Sequence, residues 1–325
     1  MGSPGSDRPL RVAFVVGVFP LVSETFVIDQ IAQLTDRGVD VDVYSLDRGD
    51  EANVSRTYFD YDMRSKLVYL DYPLPWLRRF LQAWPRALYL AQRQPRVLLR
   101  ALNVFRYRRW AFSLKLLYWA GPLVGKEYDV VHCHFGTVAR DFVHALDAAG
   151  IDAPLVTSFY GVDVSRVFRD EPPDFYDDLK RVCSLYFVMS EDMKRRVVER
   201  GFPADRVRVL PVSIPVDSYP FSARSLEGGD ALRLLAVGRF VEKKGFDDLL
   251  RALAIVKERS PRPVTCDVVG GGPLDPELRE LAASLGLDDV VRFRGFMPVE
   301  DVIGLFPAVH VLVQPSKTAA DGDME

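Results

Sequence analysis

Val237-Gly-Arg-Phe-Val-Glu-Lys-Lys-Gly-Phe246 follows the apolar run Leu232-Arg-Leu-Leu-Ala-Val237 and leads into a helical pattern that reaches Arg259. The run has the length and branching of a buried strand. Glycine 238 lets a backbone approach a ligand closely, and Arg239 and Lys244 offer positive charge beside the coming helix start. The same pattern taken alone serves equally as a turn with solvated charges. Two further turns follow strands in the same way. Val264 to Val269 runs into Gly270-Gly-Gly-Pro273, and Val290 to Phe293 runs into Gly295-Phe-Met-Pro298. Gly271 and Gly272 suit a close approach to a nucleotide, although a glycine run is also the mark of a plain flexible turn. Phe296 could stack on a base or pack in the core. In a doubly wound sheet such turns gather at one edge, where ligands bind.

Working outward toward the N-terminus, the strand and helix alternation continues. Leu10-Arg-Val-Ala-Phe-Val-Val16 reads as a strand closed by Gly17. Ser23 suits an N-cap, with Glu24 in the first turn of the helix that follows. Val39 to Leu46, Tyr128 to His134, Pro154 to Tyr160, Ser184 to Ser190 and Arg206 to Pro211 are strand-like. Strand, helix, strand with short joins predicts parallel pairing. The fold class is therefore α/β, with two doubly wound Rossmann-like domains. The expected domains are residues 1–211, a linker over 212–230 rich in Pro, Ser and Gly, and residues 231–325.

A chain of 325 residues has room for two ordinary domains. Its 48% hydrophobic and 27% charged residues are those of a soluble globular protein. Cys133, Cys183 and Cys266 lie far apart without metal-ligand spacing and read as reduced core thiols. No stretch is apolar for long enough to span a bilayer, and Met1 to Asp7 reads as a flexible leader.

The net charge of −3 conceals an asymmetry. Residues 73–126 contain eleven Lys or Arg, no Asp or Glu, and all four tryptophans, Trp76, Trp84, Trp110 and Trp119. Pro85 and Pro95 suit first helical positions, so two or three short helices are expected. Leu98, Leu102 and Phe105 would share one face of the second. Arginine with tryptophan suits nucleic acid, but no RNA- or DNA-binding motif accompanies it. A solvated helical face leaves four tryptophans unexplained. An anionic membrane surface accounts for both residue types.

The order Gly-Arg…Lys-Gly, Gly-Gly-Gly-Pro, Arg-Gly-Phe and Pro-Ser…Asp-Gly-Asp-Met-Glu resembles the donor domain of GT-B glycosyltransferases, specifically the family-4-like retaining enzymes. Phe19-Pro20…Ser23-Glu-Thr-Phe26 resembles the first loop of the exopolysaccharide, colanic-acid-type branch. The resemblance covers nearly the whole chain, except much of 73–126. It implies transfer of a sugar from a UDP- or GDP-linked donor to a glycan or lipid-linked acceptor, without metal or resident cofactor. Arg239 and Lys244 would hold the donor diphosphate, with Gly238 and Phe296 beside it, and Gly17 would face the transferred sugar. Glu325 would be the first carboxylate of the family's Glu-x7-Glu motif, so the second domain is expected to be incomplete. Ser23, Glu24, Tyr160 and Asp163 would lie on the acceptor side. Tyr160 stands where the family often has histidine, and a tyrosine is a poor base at neutral pH. That leaves His134 as the nearer candidate for catalysis, or as a strand-end histidine satisfied by backbone. The expected setting is cytoplasmic, peripheral on the inner face of the membrane. The competing expectation is a truncated, inactive GT-B protein that binds a membrane or partner.

Overall fold

The structure is a computed structural model and describes residues 8–219, 221, 223–226 and 230–323. The chain divides into two compact units. The first is Met1–Pro20, Gln30–Asp50 and Tyr58–Val212, and the second is Leu21–Asp29, Glu51–Thr57 and Ser213–Glu325.

The first unit holds a seven-stranded sheet. Its strands are β1 (Arg11–Phe19), β2 (Asp40–Arg48), β3 (Leu67–Tyr69), β4 (Val130–His134), β5 (Leu155–Ser158), β6 (Leu185–Val188) and β7 (Val207–Val209). The order is β3-β2-β1-β4-β5-β6-β7, parallel at every pairing, with Val12 opposite both Val41 and Val130. Strand order reverses between β1 and β4, so the carboxyl ends of these two strands flank the topological switch point. Ala13 to Val16 are fully buried, as a central strand covered on both faces requires. The helix Gly136–Ala149 buries Ala139, Phe142, Ala145 and Leu146, a face with helical spacing. Ser190 caps the helix Glu191–Glu199 by accepting the Met193 N–H at 3.2 Å.

Strand β1 runs two residues past Gly17, because Val18 and Phe19 pair with Asp47 and Arg48. The first helix is Thr25–Asp36, so Glu24 precedes it instead of lying in its first turn. The short edge strand β3 leaves no mark in the sequence pattern, because its three residues are too few for an alternation to register.

The basic segment departs further from expectation. One helix, Trp76–Arg93, runs straight through Pro85. Pro85 lies on an exposed part of the helix, where the lost hydrogen bond is cheapest to bear. In the helix Pro95–Ala101 the buried residues are Val97 and Ala101, while Leu102 and Phe105 fall outside it and are exposed. Trp119 is a core residue and Trp110 is half-buried, whereas Trp76 and Trp84 are 74% and 72% exposed.

The second unit holds a four-stranded parallel sheet of β8 (Leu232–Val237), β9 (Val264–Val269), β10 (Val291–Gly295) and β11 (Val311–Leu312), in the order β10-β9-β8-β11. Here the reversal lies between β8 and β11. The helix Phe246–Arg259 buries Phe246, Leu249, Leu250 and Leu253 against this sheet's core, with Phe240 beneath. Among the described residues no helix is long and apolar enough to cross a membrane.

Candidate functional site

In the second unit the turns after β8, β9 and β10 are laced together at the carboxyl edge of the sheet. The Gly238 N–H donates to the Val269 carbonyl at 3.0 Å, Phe240 N–H to Gly271 at 2.9 Å, and Gly270 N–H to Gly295 at 2.9 Å. Gly270 has φ +139°, and a β-carbon there would lie 1.9 Å from the Gly238 carbonyl oxygen. The turns can meet this closely only because residue 270 has no side chain. A β-carbon on Gly271 would lie 2.7 Å from the Phe296 ring. Phe296 therefore packs on Gly271 while staying 47% exposed. Gly272 closes the turn by accepting the Asp275 N–H at 3.1 Å.

Arg239 is exposed, between the half-buried Gly238 and the buried Phe240, whose ring lies 4.9 Å from that of Phe246. Lys244 is half-buried, and its methylene stem passes Gly238 in ordinary contact. The two cations thus flank one glycine at the end of β8. Neighbouring Lys243 is spoken for internally by an ion pair with Asp323 at 3.1 Å. Residues 317–323 hold this turn from the far side: Lys317 N–H donates to the Lys243 carbonyl at 2.9 Å, and Ala320 N–H to Glu242 at 2.9 Å. Asp247 and Asp248 occupy the first turn of the helix Phe246–Arg259, where they complement its positive end. Lys317 neutralises both, at 2.7 and 2.9 Å. An anion at this edge would therefore meet the cations Arg239 and Lys244 and not the helix terminus, which already has its own carboxylates.

Glu24 also belongs to the second unit. Burial pushes its carboxyl up to about 7, against the opposing pull of the Arg239 guanidinium. The two residues are 215 positions apart, and no sequence signal joined them. The segment 51–57 is anchored likewise: the Ser55 hydroxyl and the Arg56 N–H donate to Glu300 at 2.6 and 2.8 Å, and Arg56 pairs with Asp301 at 2.9 Å. Ser23 is exposed. Glu325 lies outside the described residues.

In the first unit, the switch point brings Gly17, on β1, near Val138; a β-carbon on Gly17 would meet Val138 at 3.5 Å, an ordinary contact. His134 ends β4 and is fully buried, with Nδ1 2.8 Å from the Tyr160 hydroxyl. Its ring stacks 4.4 Å from His132 and 5.1 Å from Phe14. Burial, reinforced by His132, holds the His134 imidazole well below the usual histidine range, so it is neutral at physiological pH. Burial lowers His132 to about 4, and its Nε2 lies 2.8 Å from the Ser158 hydroxyl. Phe135 follows with φ 72°, a conformation phenylalanine rarely adopts, where β4 turns into the helix Gly136–Ala149.

Tyr160 is buried and its hydroxyl is engaged by His134. Asp163 has no exposed surface. Its carboxylate accepts from Tyr160 N–H at 3.0 Å, Thr137 N–H at 3.4 Å and the Tyr176 hydroxyl at 3.4 Å. Asp163 thus ties the turn after β5 to the first turn of the helix Gly136–Ala149. Burial lifts it to about 6 despite these hydrogen bonds.

Two family profiles match consecutive parts of the chain. Glycosyltransferase Family 4 matches residues 23–218, and Glycosyl transferases group 1 matches residues 220–322. The putative colanic acid biosynthesis glycosyltransferase WcaL of Escherichia coli (strain K12) is 29% identical over 321 residues, covering 97% of this chain and 78% of WcaL. The amylovoran biosynthesis glycosyltransferase AmsK of Erwinia amylovora is 29% identical, with the same coverage of 97% and 78%. Among solved structures, Anabaena HepE in complex with UDP and glucose superposes with a TM-score of 0.60 at 17% identity, covering 94% of this chain and 74% of that one. WaaG, a glycosyltransferase involved in lipopolysaccharide biosynthesis, gives a TM-score of 0.58 at 15% identity, covering 94% and 75%. At these identities the structural likeness speaks for the GT-B fold.

Proposed function

The chain belongs to glycosyltransferase family 4, and from that premise we propose that it transfers a sugar, with retention, from a nucleoside diphosphate donor in exopolysaccharide assembly. The observation that carries this reading is the pair of cations flanking Gly238 at the switch point of the second sheet. In the reaction the bond between the sugar's anomeric carbon and the diphosphate oxygen breaks, and a bond from the acceptor's hydroxyl oxygen to that carbon forms in its place. The hydroxyl proton passes to the departing diphosphate, and negative charge builds on the diphosphate as it leaves. Arg239 and Lys244 are suited to stabilise that charge as it forms. In this reading no metal or cofactor is required, because the side chains supply the charge. The donor is UDP- or GDP-linked, and HepE, of like fold, is known in complex with UDP and glucose.

Gly238, Gly271, Gly272 and Phe296 form the floor on which the nucleotide would rest. Gly17 and Glu325 belong to the same proposal as groups that meet the transferred sugar. Ser23, Glu24, Tyr160 and Asp163 are assigned to the acceptor side, with Asp163 acting through the turn it holds. For His134 the enclosure by Phe14, His132 and Tyr160 favours a positioning role over proton transfer. The acceptor is a glycan or a lipid-linked glycan, met in the cytoplasm at the inner face of the membrane. WcaL and AmsK, named for colanic acid and amylovoran biosynthesis, support the polysaccharide setting. In this reading residues 1–211 serve the acceptor and 231–325 the donor, with the stretches Leu21–Asp29 and Glu51–Thr57 of the first range belonging to the second unit.

A thermal-shift panel of UDP, GDP and ADP tests the proposal. One nucleoside diphosphate should raise the melting temperature of the wild type, and this shift should disappear in Lys244→Ala. No shift with any of the three overturns it.

A further inference from the structure

We infer that the helix Trp76–Arg93 is a docking surface that seats this protein on an anionic lipid bilayer. The helix has 18 residues and spans about 27 Å at 1.5 Å per residue. Trp76, Phe80, Trp84 and Leu88 recur every four residues, and Leu77 and Leu81 lie one position on, so the six form a single stripe. Each is more than half exposed, from 52% for Leu88 to 74% for Trp76. Leu74, just before the helix, is 83% exposed. Ala83 and Leu90, which follow Trp76 by seven and fourteen residues along one edge of the stripe, are buried and hold the helix to its unit. Soluble monomers rarely leave so large a contiguous apolar surface bare.

The charge around the stripe selects the occupant. No acidic residue lies between Pro73 and Lys126. Arg78, Arg93 and Arg96 are exposed and make no ion pair among the described residues. Two other arginines are turned to internal use. Arg79 donates to the carbonyls of Pro73 and Leu74 and lies 4.2 Å over the Tyr72 ring, and Arg86 lies 4.4 Å over the Tyr118 ring. A stripe of tryptophan, leucine and phenylalanine edged by unpaired arginine fits the boundary between acyl chains and anionic headgroups. The helix carries arginines along its other side, so it would lie in the plane of the interface and not cross it. Two of the four tryptophans serve this face; Trp119 belongs to the core.

The inference deepens the membrane-side reading above and rests on it for the identity of the surface. Co-sedimentation with vesicles of phosphatidylglycerol and phosphatidylethanolamine, against pure phosphatidylcholine, tests it. The wild type should pellet with the anionic vesicles at low salt and much less with the neutral ones. The paired change Leu81→Ser and Trp84→Ser should lower vesicle affinity by roughly tenfold or more. Arg78→Glu should lower it by at least roughly fivefold and reduce the salt dependence. The nucleotide-induced thermal shift, read without vesicles, should be unchanged in all of these variants. Absence of binding to anionic vesicles, or binding indifferent to both sets of changes, overturns the inference. So does light scattering that shows a dimer dispersed by Leu81→Ser and Trp84→Ser, because the stripe would then be covered by a second copy. Loss of the nucleotide shift with vesicle binding intact would count against the transfer reading alone.

Discussion

A β-carbon on Gly238 would stand 3.5 Å from Cδ of Lys244, so the lysine's stem lies along the bare side of the glycine. The stem and the ammonium group therefore do separable things. Lys244→Met keeps the packing and deletes the charge. Losing a charge-assisted contact to a diphosphate costs about 1.5–3 kcal/mol, so UDP or GDP should bind roughly 10- to 100-fold more weakly. Calorimetry that finds unchanged affinity would remove Lys244 from the donor site.

Glu24 and Arg239 predict a proton linkage. With its carboxyl near 7, Glu24 is partly protonated at neutral pH. A diphosphate on Arg239 would draw the guanidinium's field away and add negative charge, both of which raise Glu24 further. Donor binding near pH 7 should then take up a fraction of a proton. The binding enthalpy should vary with the buffer's ionisation enthalpy, and this dependence should vanish in Glu24→Gln. The same raised value bears on stability. The contribution of Glu24 is present in full below its unfolded value near 4.5 and is lost as pH rises through about 7. Glu24→Gln should accordingly gain on the wild type above pH 7.

Asp163 carries a similar sign at a lower pH. Its folded value near 6 exceeds its ordinary 3.8, so its contribution is full below 3.8 and falls as pH rises through about 6. Asp163→Asn turns an amide toward groups that only donate, Tyr160 N–H and Thr137 N–H, and should cost about 1–3 kcal/mol. Urea denaturation at several pH values should show the wild-type advantage shrinking from pH 4 to pH 7. A pH-independent difference would mean that Asp163 does not ionise in this window.

Gly270 and Gly271 should respond differently to alanine. At Gly271 the obstacle is the Phe296 ring, the end of a half-exposed side chain that can swing aside. Gly271→Ala should cost about 1–2 kcal/mol and displace Phe296. At Gly270 the obstacle is the Gly238 carbonyl, and φ is +139°. Gly270→Ala should cost roughly 3 kcal/mol or more, because strain and backbone displacement add. Melting temperatures of the two variants decide whether the order is right.

Much of the fold was legible because the strands that form it are short apolar runs closed by glycine or polar turns, as at Val237-Gly238 and Val269-Gly270. The edge strand Leu67–Tyr69 was not, since three half-buried residues leave no period to read. Pro85 misled because proline usually opens a helix, whereas here an exposed interior position tolerates it. The cations of the candidate site were visible as a motif. Their electrostatic partner Glu24 was not, because only the folded chain brings positions 24 and 239 within reach of each other's field. Burial was the other hidden quantity: nothing in Val-His-Cys-His tells that His134 is sealed beside Phe14 while His132 stays half-buried, or that both lose basicity.

The lacing of residues 317–323 onto the 242–244 turn has a consequence for protein engineering. Glu242 and Lys243 receive their partners from Ala320, Asp323 and Lys317, some seventy to eighty positions later. The two stretches are a single cassette, although the chain writes them far apart. A chimera that swaps the glycine-arginine turn between relatives to change donor preference must carry the downstream stretch with it. A graft of either half alone would bring a lysine without its aspartate, and the turn that presents Lys244 would lose its backing.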